Sequence, residues 1–176
     1  LMNYYCELLN SYVKISKLDD ISDIIEKISN LTEGREPFHV KYSVLTARMY
    51  VDFYAKRTTE AKEKYEQIKA LVAHDKIHTM NNAIAFIMLS KKLKMPQSFY
   101  LDALLSLEWI EDAVNPRENI LAYSELKKYY KSIGDSHSLS KMNEEYIEVL
   151  ERNQKNYNQK QEDSLLLFHD MIKSKK

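Results

Sequence analysis

One pattern recurs along the chain. In LLNSYVKISKLDDISDIIEKI (8–28) and again in LKKYYKSIGDSHSLSKMNEEYI (126–147), an apolar residue is followed four positions later by tyrosine, then by a short polar turn, then by apolar residues at helical spacing. Two looser copies lie between them. A recurrence of roughly 40 residues is that of helical hairpins stacked in series, each burying its apolar stripe only against its neighbours. Glycine and proline are scarce, two and three among 176 residues. Strand-rich folds need turn residues roughly every 8–12 positions, so this scarcity argues against them. The expectation is an all-α chain.

Periodicity places eight helices. Tyr5, Leu8, Leu9, Tyr12 and Val13 mark the first, over about 2–16, and Ile21, Ile24, Ile25 and Ile28 the second, with Asp19 or Asp20 as its cap. Gly34 and Pro37 end it. The third, Phe38 to Lys56, is apolar on most sides except for a stripe of Lys41, Arg48, Asp52 and Lys56, the signature of a buried helix. Thr58 or Thr59 is expected to cap the fourth, residues 73–76 to turn, and the fifth to run from Ile77 to Lys94. Pro96 fits the first turn of the sixth, and Asn115-Pro116-Arg117-Glu118 is a strong start for the seventh. Gly134 stops that helix and Asp135 opens the eighth. Leu139, Met142, Tyr146 and Leu150 are expected to pack on the seventh, before a polar stretch, RNQKNYNQKQEDS, and a closing apolar one, LLLFHDMI. The division expected is 1–151 for the hairpins and 152–176 for a helical extension or linker.

Composition excludes several function classes. Acidic and basic side chains balance at 26 each, so the chain as a whole has no electrostatic drive toward nucleic acid or a membrane surface. No apolar run approaches the length of a membrane span or of a signal-peptide core. The one cysteine, Cys6, has no partner for an internal disulfide and fits a reducing, cytoplasmic setting. Two isolated glycines cannot build a phosphate loop. His74-Asp75-x-x-His78 places two imidazoles at i, i+4, but no third ligand lies nearby, so no metal and no other cofactor is expected. His169-Asp170 stands alone, and Trp109 reads as packing. No nucleophile–base pair or carboxylate cluster is apparent, and the chain is not expected to be an enzyme. Because Leu1-Met2 already lies inside a helix that is not polar on all sides, the sequence is expected to be part of a longer protein.

The hairpins resemble tetratricopeptide repeats. The first pair matches the family pattern through Leu8, Tyr12, Ile21, Ile25 and Ile28, although Leu9 stands at the small position and Ile21 at the alanine. The fourth matches through Leu126, Tyr130, Gly134-Asp135, Leu139 and Tyr146. The second matches in Ala61, Tyr65 and Ile68, and the third in Phe86, Phe99 and Ala103. The resemblance implies an α-α superhelix of about four hairpins with a long C-terminal helix. YYKSIGDSHSLSKMNEEYIEVLERNQ is similar to the last repeat of bacterial sensory segments that precede GGDEF (diguanylate cyclase) or other output domains, and to the peptide-binding domains of Rap- and PlcR-type quorum-sensing regulators. It thus implies a regulatory module that binds a peptide or protein segment on its concave face, with no membrane partner and no direct contact with nucleic acid. An output domain, such as a diguanylate cyclase, would lie outside this sequence.

Carried over by register, the family's groove positions fall on Asn3, Cys6, Asn10 and Lys14 in the first pair. In the third they fall on Asn81, Met88, Lys91 and Lys92, and in the fourth on Ser124, Lys128 and Lys131. Tyr50 and Tyr54 are the contributors from the second, where the register is ambiguous. Asparagine can donate to and accept from a peptide backbone, lysine favours acidic groups, and tyrosine and methionine supply apolar contact. Singly, each lysine or asparagine is ordinary solvated surface; only the grouping points to a groove. Cys6 also fits a buried structural thiol. The alternative to a ligand-binding module is a structural scaffold or a homodimer joined through the C-terminal helix.

Overall fold

The computed structural model describes residues 2–14, 19–32, 37–107 and 116–173, with the side chains of Lys14, 116–119 and 168–173 left aside. The described residues form helices and short turns: α1 (Met2–Lys14), α2 (Asp19–Thr32), α3 (Phe38–Tyr54), α4 (Thr58–Leu71), α5 (Lys76–Lys92), α6 (Gln97–Ser106), α7 (Pro116–Ile133) and α8 (Ser136–Lys173). The chain is all-α. It gathers into two compact units, Leu1–Ile110 and Glu111–Lys176. The expected boundary at 151/152 falls inside α8, which continues across it unbroken.

In the first unit, α1 packs on α2 and α3, α3 on α4 and α5, and α5 on α4 and α6. Helices α1 and α3 therefore each meet their own hairpin partner and the next odd-numbered helix. At one end Cys6, Leu9, Val13, Ile21, Ile24 and Ile28 pack with Val40, Val44 and Ala47. At the other the core is aromatic. The Phe86 ring stacks on Tyr65 at 4.3 Å and on Phe99 at 5.4 Å, and tilts against Phe53 at 5.4 Å, joining α3 to α6 in one contact set. Such pairs add about 0.5–1.5 kcal/mol each beyond area burial. Burial pushes the Tyr65 phenol up, a shift that Glu66 and Asp102 reinforce and a hydrogen bond with Ser106 partly opposes. Asn82, also buried, donates from Nδ2 to the Tyr65 carbonyl at 3.2 Å and ties α5 to the backbone of α4.

In the second unit α7 and α8 form a hairpin. Ala122, Leu126, Tyr130, Met142 and Val149 are buried, while Leu139 and Tyr146 are half-buried. Val149 takes the place expected of Leu150, which is exposed: Val149 follows the buried Met142 by about two helical turns and so lies on the same face of α8. From Gln154 to Leu167 every α8 side chain is exposed, so the polar stretch is a solvated helix.

Several local expectations need correction. α4 starts at Thr58, and Arg57 occupies its cap without a side-chain bond, so neither threonine caps. Asp19 and Asp20 lie inside the first turn of α2, where they act on the helix dipole. Pro96 is the cap residue of α6, whose first turn begins at Gln97. Lys56 and Lys94 lie beyond their helices in the left-handed region, φ 61° and 56°. Asp75, expected in a turn, caps α5 by accepting from the His78 N–H at 3.0 Å. Asp52 is not solvated stripe: it is 8% exposed, and Arg57 donates to its Oδ1 from Nε at 3.0 Å and from its terminal nitrogen at 2.7 Å. The Gly34 stop, the Asn115 cap and Trp109 lie outside the described residues.

Candidate functional site

The pairing of α3 with α5 assembles a strip of partly accessible rings in the first unit. Phe38 and Tyr42, on the first turns of α3, meet His78 on the first turn of α5, with ring centroids 5.8 and 4.6 Å away and edges to faces. At the far end, the Lys92 ammonium lies 4.7 Å above the Tyr54 ring and 3.3 Å from its hydroxyl. Starts meet starts and ends meet ends, so the two helices run parallel, side by side. The twelve residue steps from Tyr42 to Tyr54 span about 18 Å at 1.5 Å per residue. An extended segment of about five residues covers that length.

Between these ends lie Tyr50, one turn before Tyr54, and Met88, one turn before Lys92. Tyr50 is half-buried, and burial together with the neighbouring Tyr54 pushes its phenol up, so it remains a neutral donor and acceptor. Met88 is 48% exposed, unusual for a thioether in a packed helix. Asn81 is half-buried on the same side of α5, whereas Asn82 turns into the core. The strip therefore offers rings at both ends, a soft apolar centre, one amide and one ammonium.

His78 is held rather than loose. Its Nδ1 lies 2.6 Å from Asp75 Oδ2, while Asp75 Oδ1 caps the helix through the His78 N–H. These bonds, the backbone one foremost, hold the Asp75 carboxyl below the usual carboxylate range. Of the two histidines, His78 thus belongs to the helix start and to an aromatic contact. No group of three metal-ligating side chains occurs among the described residues.

The remaining candidates fall as follows. Asn3 and Asn10 are exposed on α1, seven residues apart and so on one face. Cys6 does not join them: it is 7% exposed in the core, where burial raises its thiol and a hydrogen bond with Ser43 partly offsets that. The Lys14 side chain lies outside the described residues. Lys91 is half-buried, and Lys92 is exposed beside Tyr54. In the second unit, Ser124, Lys128 and Lys131 line a cleft of about 240 Å³ with Lys127, Leu139 and Tyr146. There Lys128 pairs with Glu125 at 2.9 Å, and the Lys127 ammonium sits 4.6 Å above the Tyr146 ring.

Phe38, Tyr42, Asp75 and His78 were not among the residues expected from the sequence. The available signal was the matching place of Tyr42 and His78 on the first turns of successive odd-numbered helices. No helix of the described residues is long and apolar enough to cross a membrane. Compared with family models, with curated proteins and with solved structures, the chain matches none.

Proposed function

We propose that this chain is a peptide- or protein-binding regulatory module of tetratricopeptide type, which takes an extended segment along the accessible faces of the odd-numbered helices of its first unit. The observation that carries this reading is the α3–α5 strip, with Phe38, Tyr42 and His78 at one end and Tyr54 and Lys92 at the other. Parallel helices with accessible rings suit an elongated ligand better than a compact one. The Tyr54 and Lys92 end favours an acidic or carboxylate group, and Asn81 can pair with a peptide backbone. The setting that fits is a cytoplasmic bacterial signalling protein whose output domain lies outside this sequence. A ligand touching successive hairpins would favour one arrangement of their shared interfaces, and it shifts that equilibrium only by its difference in affinity for the two arrangements.

The test is selection of displayed peptides on the immobilised chain, followed by titration against a Tyr54→Ala/Lys92→Glu variant. Selected peptides are expected to lose about tenfold or more in affinity, the loss of one charge-assisted hydrogen bond and one aromatic contact. Peptides that bind both proteins equally would rule out the strip.

One observation favours a second reading, a scaffold that dimerises through α8. Ile147, Leu150, Tyr157, Leu165, Leu166 and Leu167 are all exposed along that helix. Light scattering over a range of concentrations separates the two: a concentration-dependent doubling of mass that Tyr157→Glu abolishes supports the dimer, and a constant monomer mass rejects it.

A further inference from the structure

On the other side of α3 from the Tyr50 and Tyr54 rings, α2, α3 and α4 enclose an open cleft of about 450 Å³. That is within the size range of small-molecule sites, about 300–1,000 Å³. Its apolar wall is Ile21, Ile25 and Val51. Its polar wall carries five charges: Arg48, Arg57 and Lys64 against Asp52 and Glu60. Three cations against two carboxylates leave a net charge of +1.

These charges are not equivalent. Arg57 and Asp52 satisfy each other, and both Arg57 bonds land on Asp52 Oδ1. Arg48, Lys64 and Glu60 make no ion pair or hydrogen bond among the described residues, although all three line the same cleft. Two unpaired cations and an unpaired carboxylate around an apolar floor form a pattern of recognition groups. They match a ligand with two carboxylates, one ammonium and a short aliphatic body.

We infer that this cleft binds a small acidic zwitterion of net charge −1, an acidic amino acid or an acidic dipeptide. Arg48 and Lys64 receive the two carboxylates, Arg48 with the bidentate geometry a guanidinium allows. Glu60 receives the ammonium. Val51 and the exposed edge of Ile25 pack against the methylenes, over the fully buried Ile21. The ligand's charge cancels the cleft's own, so the complex leaves no net charge in a partly enclosed site. This inference stands apart from the peptide strip, because it uses no residue of that strip.

The experiment is amide chemical-shift titration of the full chain with L-glutamate, L-aspartate, alanyl-glutamate and glutarate, up to on the order of 10 mM, which detects affinities in the millimolar range. The expected result is saturable shifts confined to α2, α3 and α4 for the zwitterions. Arg48→Ala and Lys64→Ala should each weaken binding about tenfold, in line with a lost charged hydrogen bond. Glu60→Gln should weaken the amino acids but not glutarate, which has no ammonium. None of the three positions is buried, so the variants are expected to stay folded, with circular dichroism as the control. Absence of saturable shifts with every zwitterion overturns the inference. So do shifts that survive unchanged in an Arg48→Ala/Lys64→Ala double variant, and a glutarate response as sensitive to Glu60→Gln as the glutamate one.

Discussion

At Lys56 and Lys94 a side chain with a β-carbon holds the left-handed conformation, φ 61° and 56°, where the family of helix stops usually uses glycine. Both sites close the same way. The Arg57 N–H donates to the Asp52 carbonyl at 2.8 Å, and the Met95 N–H to the Ser90 carbonyl at 2.9 Å, six-to-one bonds that end a helix. Gly134 does this in the second unit at φ 72°, with nothing within 4 Å of the place a β-carbon would occupy. The cost of Gly134→Ala is therefore conformational and not steric, and is expected to be about 1 kcal/mol. Lys94→Gly should change stability in the other direction, by some tenths of a kcal/mol up to about 1 kcal/mol. Thermal melts of the two variants check both signs. The sequence placed these helix ends at Lys56, Lys94 and Gly134, close to where α3, α5 and α7 stop; what it did not reveal is that the two lysines take the left-handed conformation, because lysine is a good helix former. Asp75 was hidden for a related reason: flanked by His74 and His78, it looked like part of a histidine pair, yet it is a cap. Asp75 and Asp135 both have carboxyls held below the ordinary value of 3.8, chiefly by backbone N–H bonds at their helix starts. A depressed folded pKa means stability that is fully present above the unfolded value and is lost as pH falls through the folded one. The melting temperature of Asp75→Asn should accordingly lie below that of the parent at pH 6–7, and the two should converge below pH 4. A gap that widens on acidification would contradict the assignment.

At the level of elements, apolar spacing alone revealed the eight helices and their pairing into hairpins, because each stripe has to meet a partner. It did not reveal which residues the hairpins bring together. Phe38, Tyr42 and His78 lie far apart in sequence and meet only because α3 and α5 run parallel in contact. Tyr54 and Lys92 meet for the same reason; each was named as a candidate from the sequence, but their contact was not. The core shows the same limit. Phe86 was readable as apolar, but its place among Tyr65, Phe53 and Phe99 was not. Phe86→Ala removes a ring shared by four helices and is expected to cost about 3–5 kcal/mol, measured by denaturant unfolding. By contrast, α8 from 154 to 167 is exposed on all sides. Isolated helices of that length are marginal in water. In the free monomer, amides of 154–167 should exchange faster than those of 138–149, whose helix face packs on α7. Equal protection in both segments would show that the outer part of α8 is covered in solution.

The arrangement of the first unit carries consequences of its own. Among the described residues, substantial contacts join each helix only to its own hairpin or the adjacent one. A molecule built this way has stability close to a sum of hairpin terms and nearest-neighbour interface terms, not one indivisible core. Of its three hairpins, the α3–α4 pair has neighbours on both sides, while α1–α2 meets only α3. The outer hairpin holds to the rest through Leu9, Val13 and Ile21 packed with Val40, Val44 and Ala47. Leu9 is fully buried, so Leu9→Ala loses about 2–5 kcal/mol of interface and core packing together. In a nearest-neighbour array that loss is local. Hydrogen exchange in Leu9→Ala should therefore accelerate throughout α1 and α2 while the α5 amides around Asn82 and Phe86 keep their protection. If the α5 amides accelerate by the same factor as those of α1, the unit opens as a single cooperative body. Ligand-driven adjustment between hairpins would then have no separable interface on which to act.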